Sequence, residues 1–104
     1  MARTTIEIYC ADVESAKQEV TKILTANNYK PIKENGENVW KCGVGFWTAM
    51  KYIKIEFIEN NTVYISGWVR AMIGSEMDLD GFAAIIPKKQ VSSVIDKIKY
   101  TIQY

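Results

Sequence analysis

The chain has 104 residues, of which 48% are hydrophobic and 24% are charged, and this composition and length are typical of a single globular domain. Its 13 basic and 12 acidic residues give a formal net charge of +1, so charge alone favours neither a nucleic-acid partner nor an anionic membrane. The absence of histidine excludes histidine-based acid–base catalysis, and two cysteines are too few for a disulfide scaffold or a structural zinc site. We therefore expect one domain over residues 1–104, with no catalytic residues, cofactor or metal.

The N-terminal segment predicts a strand followed by a helix. Residues 4–10 alternate, with Ile6, Ile8 and Cys10 on one face, as in a half-buried strand. Asp12 is suited to cap the following helix, which we expect to end at Asn27 and Asn28. The apolar positions of this helix recur at helical spacing: Val13, Ala16, Val20, Ile23 and Leu24.

A hairpin is predicted next. Residues 29–34 and 37–42 flank Asn35 and Gly36, the dipeptide best suited to the positive φ angles of a type I′ turn. Pro31 cannot donate a backbone hydrogen bond, which predicts a sheet edge, and the two-residue loop pairs Pro31 with Trp40. The side expected to face inwards holds the larger apolar area and consists of Tyr29, Pro31, Trp40 and Cys42.

Two longer strands follow, over residues 50–59 and 62–73. The predicted core side chains of both strands lie on the same face of the sheet only if the connecting loop has an odd number of residues or a strand contains a bulge. A three-residue loop over residues 59–61, with Asn61 in the left-handed region, meets this requirement. The side chains expected on the core side are Ile53, Ile55, Phe57, Val63, Ile65, Val69, Ala71 and Ile73.

The remainder predicts an irregular segment, residues 74–87, and a helix from about Lys88. Pro87 suits the first turn of that helix, and its apolar stripe comprises Val91, Val94, Ile95, Ile98 and Ile102. The element order β-α-β-β-β-β-α predicts an α+β two-layer sandwich. We expect a five-stranded, mainly antiparallel sheet, with the first strand beside the last and both helices on one face.

The same element order resembles one repeat of the TATA-box-binding-protein-like fold, a likeness of topology that carries no residues across. Four short motifs, residues 39–43 (VWKCG), 48–51 (TAMK), 66–68 (SGW) and 86–91 (IPKKQV), resemble a family of short bacterial proteins without an assigned activity. This resemblance implies a bacterial, cytoplasmic setting and no particular chemistry. The lack of a signal-peptide pattern or a membrane-spanning stretch also predicts a cytoplasmic chain without a membrane partner.

Two segments carry weak motifs for ligand binding. The acidic cluster Glu76, Asp78 and Asp80 resembles a fragment of a calcium loop but lacks the closing glutamate, so we interpret it as a solvated loop. Residues 43–48 contain two glycines without a third in register and without a following helix, and we interpret them as a bend rather than a phosphate cradle. Cys10 and Cys42 are interpreted as core thiols.

The predicted outer face of the sheet is the most informative feature. It carries large rings interleaved with cations, and the candidate binding residues are Tyr9, Tyr52, Lys54, Tyr64, Trp68 and Arg70. Our leading hypothesis is a non-enzymatic binding or assembly module that forms a homodimer through this face or its edge. The alternatives are single-stranded nucleic-acid binding by stacking on the same rings, and an enzyme with carboxylate or lysine chemistry. A further possibility is that residues 74–87 cover the rings as ordinary core.

Overall fold

The computed structural model of the protein describes residues 3–42, 50–70, 76–77 and 85–103. The elements in chain order are β1 (Thr4–Tyr9), α1 (Val13–Ala26), β2 (Lys30–Glu34), β3 (Glu37–Cys42), β4 (Met50–Ile58), β5 (Thr62–Arg70), β6 (Glu76–Met77) and α2 (Ile85–Ile102). Two helices and a sheet of five main strands in this order confirm the predicted α+β class.

The sheet is antiparallel throughout. Its strand order is β1-β5-β4-β3-β2, and the two-residue β6 pairs with β5 beyond the start of β1. The first strand therefore lies beside the last long one, as the direction of the meander predicted. Among the described residues β1 pairs only with β5 and β2 only with β3, so these two are the outer strands of the sheet.

Both tight turns use left-handed residues. Asn35 has a φ of 52° and Gly36 a φ of 80°, as a type I′ hairpin requires, and Pro31 pairs with Trp40 as expected. In the second turn both asparagines, Asn60 at 60° and Asn61 at 57°, are left-handed, whereas only Asn61 was expected to be. Asparagine tolerates this region because its short side chain bonds to nearby backbone.

Local signals define the start of α1. The carboxylate of Asp12 accepts a hydrogen bond of 3.1 Å from the backbone N–H of Ser15, which satisfies one of the unpaired N–H groups of the first turn. At the other end the side-chain amide of Asn27 donates to the carbonyl of Ile23 at 2.8 Å, and Asn28 adopts a φ of 68°. The predicted ends of α1 are therefore confirmed.

Helix α2 begins earlier than predicted. It starts at Ile85, three residues before Lys88, and Pro87 lies in the first turn as expected. Proline is tolerated there because the N–H groups of the first turn have no intrahelical acceptor. Likewise, residues 76–77 form β6 where an irregular segment was expected, whereas Ala71 and Ile73 lie outside the described residues.

Both helices pack on one face of the sheet. The main core joins buried side chains of α1, α2 and the inner sheet face, with Ile6, Ile55 and Phe57 at its margin. Its fully buried or nearly buried members include Ile8, Ala16, Val20, Leu24, Tyr29, Ile53, Val63, Ile65, Val69, Val91, Ile95 and Ile98. The two-layer arrangement is thus confirmed. Within the described residues, neither helix is long and apolar enough to cross a membrane.

Candidate functional site

The outer face of the sheet carries a second, smaller core. The rings of Tyr52 and Trp68 stack with centroids 5.3 Å apart and planes 5° from parallel, and their exposed fractions are 0% and 2%. Val39 and Met50 are buried in the same cluster, with Ile32 packed at its margin. The expectation that these rings form an open surface is therefore wrong for Tyr52 and Trp68.

A charged layer lies over this small core. The guanidinium of Arg3 lies 3.7 Å from the centroid of the Trp68 ring, and its two terminal nitrogens each donate to Glu37 at 2.8 Å. The ammonium of Lys54 donates to the same carboxylate at 3.0 Å. Hydrogen bonds from Arg3 and then Lys54 lower the pKa of Glu37 to about 2, so this carboxylate stays ionised across the physiological range.

A second ion pair lies beside Tyr52. Arg70 approaches Glu34 at 3.6 Å, and its guanidinium carbon lies 5.6 Å from the centroid of the Tyr52 ring. The Tyr52 hydroxyl donates to the same carboxylate at 3.3 Å. Lys54 and Arg70, two of the candidate binding residues, are thus paired with glutamates of the β2–β3 hairpin.

These contacts bear on the hypothesis that nucleic-acid bases stack on the rings of the outer face. Stacking of bases requires an open ring face. One neighbour of Trp68 is Tyr52 and another is the Arg3 guanidinium, and the ring is buried, so a base has no access to it. Burial therefore removes Tyr52 and Trp68 as stacking surfaces and leaves Tyr9 and Tyr64.

Three of the residues that complete this cluster, Arg3, Glu34 and Glu37, were absent from the sequence-based candidates. The predicted hairpin register already placed both glutamates on the outer face, and this signal could have revealed them. Arg3 carried no such signal, because its contact with β3 depends on the sheet order β1-β5-β4-β3.

The exposed part of the outer face lies at the end of the sheet away from the stacked Tyr52 and Trp68 rings. Tyr9 is 56% exposed and Ile58 is 43% exposed, and both pair with Thr62 across the sheet. Tyr64 is half-buried and pairs with Glu7 on one side and Glu56 on the other. Of the predicted rings, only Tyr9 and part of Tyr64 are thus available to a partner.

The two outer strands differ in how they are protected against pairing. β2 reads Lys-Pro-Ile-Lys-Glu, and Pro31 occupies a position whose nitrogen faces away from β3. Proline and lysine are the residues with which natural edge strands avoid further pairing. β1 reads Thr-Thr-Ile-Glu-Ile-Tyr, which has neither. Only one edge therefore carries such protection.

The free backbone groups of β1 can be identified from its register. The N–H of Cys10 donates to the carbonyl of Asn61 at 2.9 Å, so alternate residues of β1 bond to β5 and the intervening ones point away. Thr5 and Glu7 are the central outward-pointing residues, and neither has a backbone partner among the described residues. Near Tyr9 this edge is closed by a bridge between Cys10 and Gln103.

The remaining sequence motifs give no further site. The glycine segment at residues 43–48 lies outside the described residues, as do Asp78, Asp80 and the side chain of Glu76. Cys10 and Cys42 are both free thiols, the first buried and the second partly buried. Among the described side chains, no group of three or more histidine, cysteine or carboxylate residues is placed to hold a metal ion.

No protein-family model, curated protein or solved structure matches this chain. The function must therefore be argued from the residues themselves.

Proposed function

We propose that the protein is a non-enzymatic assembly module in which two copies associate through the free edge of β1. The observation that carries this proposal is the contrast between the two outer strands, of which β2 is protected and β1 is not. Thr5 and Glu7 supply two N–H and two C=O groups that point away from β5. A second copy of the same strand is a matched partner for them.

The charges of β1 favour one register. In an antiparallel pair centred on Glu7, two like charges would face each other directly, which is destabilising. A pair centred on Ile6 instead places Glu7 opposite Thr5 of the second copy, and both outward-pointing residues of each strand are then bonded. The free stretch is short, and we therefore expect a weak, concentration-dependent dimer. The net charge of +1 gives little repulsion between copies.

Two features support contacts beyond the backbone. Tyr9 extends from the end of β1 on the outer face, and it and Ile58 are exposed apolar side chains on either side of Thr62, in a row three strands wide. Tyr64 lies between the carboxylates of Glu7 and Glu56 in the next row. A partner strand beside β1 covers part of this surface, and the apolar area it removes from water favours association.

The experiment is sedimentation velocity on the whole chain from about 10 µM to about 1 mM. Glu7→Pro removes one outward N–H without removing a β1–β5 bond, whereas Lys33→Pro removes an outward N–H from β2. We expect dimers of the unmodified chain and of Lys33→Pro, and monomers of Glu7→Pro with an unchanged circular dichroism spectrum.

Hydrogen exchange gives a readout that needs no variant. The amides of Thr5 and Glu7 are expected to exchange more slowly as protein concentration rises, because pairing covers them. An unmodified chain that is monomeric at the highest concentration would refute the proposal, as would Glu7→Pro associating like the unmodified chain.

The cellular compartment and the origin of the protein are proposed from other observations. Cys10 and Cys42 are both unpaired, which supports a reducing compartment such as a cytoplasm. The resemblance of four short motifs to a family of short bacterial proteins supports a bacterial origin, and the element order supports a topology like that of the TATA-box-binding-protein repeat. The oxidation state of the two thiols in protein isolated from cells under thiol-blocking conditions tests the compartment.

A further inference from the structure

An open cavity of about 410 Å³ lies between the end of α1, the start of β2, the start of β4 and α2. This volume falls within the range of roughly 300–1,000 Å³ that is typical of sites for small molecules. The described residues that line it are Asn27, Tyr29, Lys51, Lys89, Gln90, Ser93 and Val94. It lies on the helix side of the sheet, away from the rings of the outer face.

The charge of this cavity is one-sided. Lys51 and Lys89 both line it, and no carboxylate is among its described lining residues. The ammonium of Lys51 donates to the side-chain oxygen of Gln90 at 3.0 Å, a contact that holds it against α2. Neither lysine forms an ion pair with a carboxylate of the described residues. Two lysines with no carboxylate beside them among the described residues favour an anionic ligand.

The buried side chain of Tyr29, one of the lining residues, points to the same conclusion. Tyr29 is only 3% exposed, and its hydroxyl has no hydrogen-bond partner among the described residues. Such groups are uncommon, because burial without a partner costs free energy. Burial, and then the nearby Cys42, raise the pKa of Tyr29 above its usual range, so the group remains a neutral donor. A ligand oxygen would supply the acceptor that it lacks.

We propose that this cavity binds a small organic anion through a carboxylate or phosphate group. Lys51 and Lys89 neutralise the charge, while the hydroxyls of Ser93 and Tyr29 donate hydrogen bonds to its oxygens. Val94 and the Tyr29 ring supply an apolar wall for the organic part. This binding is independent of the assembly proposed for β1, which lies at an edge of the sheet that contributes nothing to the lining.

The experiment is a titration of the whole chain with citrate, adenosine monophosphate and inorganic phosphate at low salt, followed by amide chemical shifts. Saturable shifts are expected at residues 27–29, 51 and 89–94, with one or both organic anions tighter than inorganic phosphate. Added salt weakens binding, since the attraction is between charges. Shifts that do not saturate, or that spread over every lysine-bearing surface, would overturn the proposal.

Variants distinguish a built site from general attraction to lysine. Lys89→Ala should weaken binding about tenfold. Lys97→Ala, on an exposed part of the same helix and with the same loss of charge, should leave it unchanged. Tyr29→Phe should weaken binding several-fold and yet raise the melting temperature of the free protein, because it removes the unpaired hydroxyl. Equal binding by Lys89→Ala and Lys97→Ala, or unaltered binding by Tyr29→Phe, contradicts these assignments.

Discussion

The carboxylate of Glu37 is the most sharply testable contributor to stability. It accepts two hydrogen bonds from Arg3 and one from Lys54, and the same Arg3 covers the buried Trp68 ring. Glu37→Gln keeps the size of the side chain and removes its charge. We expect this change to weaken both bonds from Arg3 and to leave the neighbouring Arg3 and Lys54 cations without their common counter-ion.

The pKa of Glu37 sets the magnitude. Its lowering from an ordinary 4.5 to about 2 corresponds to at most about 3.5 kcal/mol, at roughly 1.4 kcal/mol for each tenfold change in acid strength. The side chain is 30% exposed, so solvent screening reduces this figure, and we expect a loss of about 1–2 kcal/mol at neutral pH. Because the folded pKa is the lower one, the contribution is complete above about pH 4.5 and is lost as the pH falls towards 2.

The assay is urea unfolding, followed by circular dichroism, at pH 7, 4, 3 and 2.5. The difference in unfolding free energy between the unmodified chain and Glu37→Gln should shrink below pH 4, and roughly a quarter of this difference should remain at pH 2.5. Glu56→Gln, an exposed change on the same face, is the control and should alter stability by less than about 0.5 kcal/mol. Equal stability at pH 7, or a gap that stays constant down to pH 2.5, would refute this account of Glu37.

Two other changes follow from burial. Trp68→Ala should lower the free energy of unfolding in urea by about 3–5 kcal/mol, because it empties the small outer core. Tyr9→Ala, at the exposed end of the face, should lower it by less than about 1 kcal/mol. Similar losses for both variants would show that Trp68 is not packed. Cys10 should resist a thiol reagent until the chain unfolds, and rapid labelling of native Cys10 would contradict its burial. Cys10→Ser should lower the free energy of unfolding by about 1–2 kcal/mol without changing association.

Much of the fold follows from local chemistry. The period-two alternation of the strands, the Asn35-Gly36 turn and the Asp12 cap each depend on residues close in sequence, and each appears where it was predicted. The start of α2 was predicted three residues too late, although Pro87 lies in the first turn as predicted, where proline is tolerated. The sheet order followed because a meander of short loops leaves few arrangements.

The outer face shows where such reasoning ends. Alternation correctly places Tyr52 and Trp68 on the side opposite the helices, yet it predicts an open surface there, whereas both rings are buried. Periodicity reports which side chains share a face and carries no information on what covers that face. Here that depends on contacts across several strands, such as Arg3 reaching Glu37, 34 residues further along the chain.

The sequence by itself determined the fold class, the order of the two helices and five main strands, the turns and the hairpin pairings, because each depends on backbone geometry and on neighbours within a few positions. Only the tertiary structure decided which outer strand is left unprotected, which cations are neutralised, and that Lys51, Lys89 and Tyr29 line one cavity. These properties depend on distances between segments far apart in the chain. Packing of the whole domain sets those distances, and no local pattern records them.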